Sequence, residues 1–198
     1  MSAPSKKRVA VLLSGRGSNM SALVEAAKDP AYPAEIVAVL SNRPDAKGLE
    51  TARTEGIETV GIDHKRFSSR EAHEAEMNAA LDRFAPDILC LAGYMRLLTP
   101  GFTERWKGRM INIHPSLLPL LPGLHTHERA IAAGMAEHGC TVHFVTEVMD
   151  EGPIIAQASV PILPGDTPDT LSARVLVAEH GLYPQALAMV ARGEAKAE

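Results

Sequence analysis

Two polar side chains, Asn112 and His114, stand in a short apolar run that breaks at Pro115. If the run is a strand, its period of two places both side chains on one face and directs Ile111 and Ile113 to the other. A carboxamide and an imidazole then project side by side at the carboxyl end of the strand. Open α/β sheets bind ligands at that edge, so the pattern predicts a site. The alternative is a strand end whose polar residues only cap the following loop.

A carboxylate that could join this pair follows later in the chain, in the turn Met149–Gly152. Asp150 lies there between two strand-like runs. An aspartate before a glycine in a turn is common, so a purely structural role is the alternative. If the turn lies at the same sheet edge as His114, the acid can reach the imidazole, where it would favour the charged ring and fix its orientation.

A glycine-rich turn, SGRGSN at Ser14–Asn19, follows the first apolar run. A helix that begins near its end presents unpaired N–H groups and the positive end of its dipole, which suits a phosphate. The turn is not a dinucleotide fingerprint, because Met20 replaces the third glycine and no carboxylate follows the second strand. It also lacks a Walker lysine. A single phosphate on Gly17, Ser18 and Asn19 fits better, and a plain strand-to-helix turn is the alternative.

The remaining histidines and the cysteines give weaker signals. His125 and His127 form a possible metal pair, but no HExxH motif or Cys/His set accompanies them, so we expect no metal. His143 alternates with apolar neighbours on a strand, which makes it a core histidine or part of the pocket wall. Cys90 and Cys140 make no disulfide framework.

The elements that must position these residues alternate along most of the chain. Strands are expected at 9–13, 36–40, 59–62, 88–92, 110–114, 141–148 and 153–162. Helices are expected near 18–27, 48–55, 68–85, 103–106 and from 168 onwards. The alternation predicts an α/β fold with a Rossmann-like, mostly parallel twisted sheet and helices on both faces. The last two strands are too close for a crossover helix and predict a C-terminal antiparallel hairpin.

Two helix starts have sequence signatures. Ser68 and Glu71 fit a capping box at the start of the third helix. Thr167 resembles an N-cap with Pro168 at the first helical position of the last one.

Length and composition set the remaining expectations. The 198 residues fit a single domain, 1–198, with residues 1–7 and 193–198 expected to be flexible. A net charge of −4 and 4% aromatic residues argue against nucleic-acid binding. No apolar run approaches the length of a membrane span, and no signal-peptide pattern opens the sequence, so we expect a cytoplasmic protein without a membrane partner.

Four separated motifs together resemble the phosphoribosylglycinamide formyltransferase family, the folate-dependent glycinamide ribonucleotide transformylases. They are SGRGSN at 14–19, LAGYMRLL at 91–98, INIHPSLLPLLPGLHTH at 111–127 and HGCTVHFVTEVMDEGPII at 138–155. The resemblance implies transfer of the formyl group of 10-formyltetrahydrofolate to the amine of 5-phosphoribosylglycinamide in de novo purine biosynthesis, without a metal.

By this resemblance Asn112, His114 and Asp150 are the catalytic residues. Attack of an amine on the formyl carbon builds an oxyanion and an ammonium. Asn112 would donate a hydrogen bond to the oxyanion, and protonated His114 would add a charge-assisted one. Asp150 would keep the imidazole charged and help to relay protons.

The resemblance also implies which residues bind the two substrates. Gly17, Ser18 and Asn19 match the phosphate-binding turn, and Glu179 matches the glutamate that contacts the ribonucleotide. Arg70 resembles the arginine near the glutamate tail of the folate. The folate ring is expected to contact Met95, Arg96, Leu97, Leu98, Asn112 and Val145.

One stretch departs from the family pattern. After SLLP the family usually has a polar or basic residue and then an aromatic one, whereas this chain has Leu120 and Leu121. We therefore expect this loop to pack differently, with folate affinity the property most affected. The family tends to have a cis peptide in this loop, and Leu118–Pro119 is the candidate.

Other functions fit parts of the pattern. A formyltetrahydrofolate hydrolase would use water as the acceptor, and related enzymes formylate methionyl-tRNA or an amino sugar. Those relatives generally have an additional domain and lack the GSN phosphate turn. A noncatalytic nucleotide-sensing module would bind without turnover.

Overall fold

The computed structural model describes residues 5–197, and a seven-stranded sheet forms their centre. The strands are β1 (Lys7–Leu13), β2 (Ala34–Ser41), β3 (Glu58–Gly61), β4 (Ile88–Leu91), β5 (Met110–His114), β6 (Glu137–Phe144) and β7 (Ile154–Pro161). The helices are α1 (Ser18–Ala27), α2 (Lys47–Thr54), α3 (Arg70–Phe84), α4 (Pro100–Arg105), α5 (Thr126–Ala132) and α6 (Pro168–Ala191), with a 3₁₀ turn at His64–Arg66.

The sheet has the order β3-β2-β1-β4-β5-β6-β7. Its first five strands are parallel, while β6 and β7 pair antiparallel with their neighbours. This arrangement confirms the predicted mostly parallel sheet with an antiparallel C-terminal edge. The parallel strands end at one edge, which carries the loops that follow β1, β4 and β5.

Helices cover both faces of the sheet, as predicted. Side chains of β1 alternate between the two cores: Val9 and Val11 join the cluster under α1, α2 and α6, while Ala10 and Leu12 join the cluster under α3 and α4. A strand buried on both faces must be apolar throughout, which accounts for the continuous apolar run in the sequence.

Two predictions at helix starts have different outcomes. Thr167 caps α6, and its side chain accepts from the N–H of Thr170 in a capping box, with Pro168 in the first turn, as predicted. The capping box at Ser68 is wrong by one residue: Ser69 is the N-cap of α3, and its hydroxyl accepts from the N–H of Ala72. Ser69 is the residue with extended backbone directly before the first helical turn, which is the geometry that an N-cap requires.

The C-terminal strands differ from the prediction in their bounds. β6 ends at Phe144, so the segment that contains Asp150 runs from Val145 to Pro153 and is a longer loop than the expected turn. Gly152 allows this loop to close on the end of β6, because a Cβ atom there would lie 1.7 Å from the Phe144 carbonyl oxygen. Helix α5 was not predicted. It begins directly after His125, whose backbone is left-handed (φ +56°) and whose side chain makes no cap.

The structure describes only part of each chain end that was expected to be flexible. Residues 1–4 and 198, parts of the segments expected to be flexible, lie outside the described residues. Ala195 and Ala197 pack against the core beside α6. None of the helices within residues 5–197 combines the length and the apolar character that crossing a membrane requires.

Candidate active site

Strand β5 places Asn112 and His114 on the same side, as its period predicts. Ile111 and Ile113 point into the core with α1 and α6. The His114 ring is buried, and its Nε2 lies 3.1 Å from the main-chain oxygen of Leu121. Because a carbonyl oxygen only accepts, Nε2 carries a proton in this contact. The ring therefore turns its other nitrogen, Nδ1, toward the opposite side of the site.

Asp150 occupies that opposite side. Its Oδ2 lies 3.6 Å from His114 Nδ1 and accepts a 2.8 Å hydrogen bond from the Gly123 N–H. The carboxylate is almost fully buried, with 7% of its side chain exposed. Its backbone is left-handed, with φ +60°, a conformation that aspartate and asparagine tolerate better than most residues. The longer loop thus brings the acid to the imidazole, as the sequence analysis required.

His143 is a further member of this group that the sequence analysis left undecided between core and pocket wall. It pairs with Asn112 across β5 and β6, and its Nε2 lies 3.3 Å from Asn112 Nδ2 and 4.0 Å from Asp150 Oδ1. Its Nδ1 lies 2.9 Å from the main-chain oxygen of Phe144 and must donate to it. Nε2 of the neutral ring is then the acceptor for the Asn112 amide.

Burial lowers the pKa of His143, although the Phe144 carbonyl and the Asp150 charge oppose the shift. The neutral ring is therefore the form that the site favours. The signal that sequence reasoning lacked is the antiparallel register, because only that register identifies the polar residue opposite Asn112.

The loop after β5 reaches His114 through its backbone. The Ser116 hydroxyl donates to the Leu120 carbonyl over 2.7 Å, and the Leu121 carbonyl faces His114. Leu121 has φ +54°, and the Leu120 side chain is exposed. The expected cis peptide at Leu118–Pro119 is confirmed. Of the two leucines that depart from the family pattern, Leu121 thus contributes its carbonyl to His114 and Leu120 its carbonyl to Ser116.

The glycine-rich turn leads directly into α1, as predicted. Gly17 is the N-cap of α1 with φ +77° and makes no side-chain cap, so the first N–H groups of the helix face an open pocket of about 170 Å³. The pocket is lined by the turn, including Gly17, Ser18 and Asn19, and by Ala92 and Gly93 after β4. The start of α1 combines the positive end of the helix dipole with unpaired N–H groups at an open pocket, which suits the binding of one phosphate.

Asn19 and Glu179 meet although 160 residues separate them. Asn19 Nδ2 donates to Glu179 Oε2 over 2.8 Å. Burial raises the pKa of Glu179, and the Asn19 hydrogen bond lowers it in part. Asn19 Oδ1 is buried and has no hydrogen-bond partner within residues 5–197. A ligand donor could therefore bind this oxygen beside the carboxylate.

The residues expected to contact folate lie around the same sheet edge. Leu98 and Val145 pack partly against the core on the α3 side, whereas Met95 and Leu97 are 68% and 61% exposed. Arg96 follows Met95 in the same loop and is half-buried. Arg70 is exposed at the first position of α3. Their contact with a folate stays a prediction.

The histidine pair at 125 and 127 does not converge. His125 is exposed and faces Glu128, whereas the His127 ring stacks edge-on against His138 with centroids 5.1 Å apart. Burial lowers the pKa of His138 to about 4. Across residues 5–197, no three His, Cys, Asp or Glu side chains come together in a way that could hold a metal ion.

Comparisons with known proteins identify a family and relatives that match almost the whole chain. The sequence profile of the family described as formyl transferase matches residues 7–187. The phosphoribosylglycinamide formyltransferase of Escherichia coli (strain K12) is 47% identical over 188 residues, which cover 95% of this chain and 89% of that protein.

A longer relative and a crystal structure extend this similarity. The trifunctional purine biosynthetic protein adenosine-3 of Drosophila melanogaster is 51% identical over 192 residues, and this chain spans only 14% of its length. The crystal structure of the phosphoribosylglycinamide formyltransferase from Brucella melitensis has a TM-score of 0.92 and 58% identity, covering 98% of this chain and 100% of that chain. Because the family profile and these relatives cover almost the whole chain, it belongs to the formyl transferase family.

Proposed function

We propose that the protein transfers the formyl group of 10-formyltetrahydrofolate to the amine of glycinamide ribonucleotide in purine biosynthesis. The observation that carries the proposal is the convergence of Asn112, His114 and Asp150 at the same sheet edge as the uncapped start of α1. The names of the bacterial relatives support formyl transfer to phosphoribosylglycinamide.

The first chemical step needs hydrogen-bond donors at the formyl oxygen. The substrate amine attacks the formyl carbon, so that a C–N bond forms and negative charge collects on the oxygen. One proton of the Asn112 amide is directed at His143 Nε2, which leaves the second for the oxyanion. Loss of one such donor typically lowers the rate by about 10²- to 10³-fold.

His114 supplies the second donor when its ring is protonated. Its Nε2 proton is directed at the Leu121 carbonyl. The 3.6 Å between Nδ1 and Asp150 is longer than a hydrogen bond, so the Nδ1 side is the one left to a substrate or a water molecule. Asp150 lies close enough to stabilise the positive charge of the imidazolium.

The reaction transfers one proton from the attacking amine to the folate. The attacking amine loses one proton, and N10 of the folate gains one when its bond to the formyl carbon breaks. We expect Asp150 and His114 to carry that proton, through the imidazole or a water molecule. The products are formylglycinamide ribonucleotide and tetrahydrofolate, with no covalent enzyme intermediate.

The ribonucleotide would bind across α1 and α6. Its phosphate fits the N–H groups at Gly17–Asn19. The Glu179 carboxyl and the free Asn19 Oδ1 can accept from ribose hydroxyls or from the amine. The exposed side chains of Met95 and Leu97 offer apolar surface for the folate, and Arg70 a positive charge for its glutamate tail.

The test is turnover of the purified protein with both substrates, followed by folate absorbance and by detection of the formylated product. We expect tetrahydrofolate to form only when glycinamide ribonucleotide is present. Equal release of tetrahydrofolate without an acceptor would indicate a hydrolase. Formylation of methionyl-tRNA or an amino sugar in its place would identify a different transferase, and binding without turnover would contradict an enzyme.

A further inference from the structure

Ser14 lies between the turn assigned to the ribonucleotide and the loop assigned to folate, here called the folate loop (residues 93–99). It is the first residue after β1, and its neighbours on the adjacent strands are the ends of β2 and β4. The rest of the glycine-rich turn follows Ser14 directly in the sequence. Its hydroxyl and N–H both point to other segments of the chain.

The folate loop is attached to Ser14 at its beginning. The Ser14 N–H donates to the Gly93 carbonyl over 3.0 Å, and the Met95 N–H donates to the Ser14 hydroxyl over 2.8 Å. The Ser14 hydroxyl donates its own proton to Asn42 Oδ1 over 2.6 Å. Since a hydroxyl has one proton, these contacts form a directed chain from Met95 through Ser14 to Asn42.

The two residues whose side chains form these hydrogen bonds are buried, with 5% of Ser14 and 3% of Asn42 exposed. His64 Nδ1 lies 2.9 Å from the main-chain oxygen of Asn42 and holds that residue from the other side. A buried hydrogen bond whose partner is removed leaves an unpaired polar group, so this position is sensitive to deletion of either side chain.

The far end of the folate loop is attached separately. The N–H and hydroxyl of Thr99 both donate to the buried carboxylate of Glu74 on α3. Between these attachments the side chains of Met95 and Leu97 are exposed, whereas Tyr94 and Leu98 pack partly against the core. The loop is therefore attached at both ends, and of these two attachments the one to Ser14 is continuous with the ribonucleotide turn.

We propose that Ser14 and Asn42 are positioning residues that couple the two substrate sites, so that ribonucleotide in its turn fixes the Met95 backbone and strengthens folate binding. The turn and the loop line one pocket, which Gly17 and Gly93 share. A ligand that orders the turn also orders Ser14, and through it the folate loop. The inference rests on the proposed substrates.

Calorimetric titration with tetrahydrofolate, which has no formyl group to transfer, measures this coupling without turnover. In the wild type, saturating glycinamide ribonucleotide should lower the dissociation constant of tetrahydrofolate about fivefold or more, and by linkage the reverse effect must be equal. In Ser14→Ala the coupling should fall below about twofold. The KM for the formyl-folate should rise about tenfold, with a much smaller change in kcat.

Hydrogen exchange gives a second readout that does not depend on activity. Ribonucleotide alone should slow amide exchange in peptides covering residues 93–99 of the wild type, and this protection should be lost in Ser14→Ala. Ser159→Ala, on the exposed part of β7, is the matched control and should retain both effects. A variant that merely destabilised the fold would speed exchange in the sheet as well.

Asn42 variants keep the inference testable if Ser14→Ala folds poorly. Asn42→Asp retains an acceptor for the Ser14 hydroxyl and should retain the coupling, whereas Asn42→Leu should lose it. Wild-type protein without coupling, or Ser14→Ala and Asn42→Leu variants that keep it, would overturn the inference. Absence of formyl transfer in the wild type would instead contradict the proposed function, because the binding measurement does not require turnover.

Discussion

Asp150 Oδ2 lies 3.6 Å from His114 Nδ1 and accepts a hydrogen bond from the Gly123 N–H. One carboxylate oxygen therefore contacts both the imidazole at the end of β5 and the loop that follows it. We expect the same carboxylate to stabilise a positive charge on the imidazole and to hold the two loops against each other. These two roles can be separated by substitution.

Asp150→Asn should separate them. Asparagine tolerates the left-handed backbone at this position and keeps an oxygen for the Gly123 N–H, so the melting temperature should change little. The negative charge beside His114 is lost, and kcat should fall about 100-fold or more. Steady-state kinetics and thermal unfolding measure the two effects. An equally large loss of stability and activity would assign Asp150 a structural role.

His114→Ala should abolish turnover while ribonucleotide binding is largely retained. The imidazole contacts the Leu121 carbonyl and Asp150, and neither belongs to the glycine turn that is proposed to bind phosphate. We expect kcat to fall by about 10³-fold or more, with the ribonucleotide dissociation constant within a few-fold of the wild type. Calorimetric titration with glycinamide ribonucleotide provides the comparison. Equal losses of binding and turnover would make His114 structural.

His143→Phe should lower kcat through Asn112. Phenylalanine keeps the ring volume but removes the acceptor at 3.3 Å from Asn112 Nδ2, so the amide is no longer held toward the substrate. We expect about a tenfold or larger loss in kcat and a small change in the ribonucleotide KM, with partial recovery in His143→Gln. In the Asn112→Ala background His143→Phe should cost little more. Fully additive losses would show that His143 acts independently of Asn112.

Gly17→Ala should destabilise the protein, and Gly15→Ala is its matched control. Gly17 has φ +77°, and a Cβ atom there would lie 3.0 Å from the Gly48 Cα. A Cβ atom at Gly15 would have no neighbour within 4 Å. We expect a loss of about 1–3 kcal/mol in the free energy of unfolding for Gly17→Ala and less than about 1 kcal/mol for Gly15→Ala. Urea titration checks the ranking, and equal effects would refute it.

Glu179 should make stability depend on pH. Because burial raises its pKa above 4.5, the folded state holds the proton more tightly than the unfolded chain does. The free energy of unfolding should therefore fall as the pH rises from about 4.5 through the raised pKa. Glu179→Gln keeps an oxygen for Asn19 and removes the titration, so its stability relative to the wild type should increase with pH. A difference that is constant between pH 4.5 and 7.5 would contradict this.

The fold was predictable where local pattern decides it. Continuous apolar runs identified the parallel strands, because strands covered on both faces need apolar residues throughout. The end of β6 was misplaced, since Val145 continues the apolar pattern after the strand has ended at Phe144. Helix α5 was missed because His125 begins it through a left-handed backbone without a side-chain cap.

The candidate site, like the fold, was predictable from the sequence only in part. The shared face of Asn112 and His114 follows from strand period alone. The position of Asp150 required the topology, and the contact of His143 with Asn112 required the register of β5 and β6. The hydrogen bond between Asn19 and Glu179 joins helices at opposite ends of the chain and was not predicted. The resemblance to a known family assigned each residue to the ribonucleotide site, but it did not indicate that their side chains meet.

The Leu121 carbonyl that faces His114 Nε2 is present whichever amino acid occupies position 121. A main-chain acceptor fixes the imidazole without requiring a particular side chain beside it. The ring therefore keeps its tautomer after mutation of position 120, and after those mutations of position 121 that tolerate its left-handed backbone (φ +54°). Evolution is thereby free to alter the outer surface of this loop without altering the hydrogen bond that orients the histidine.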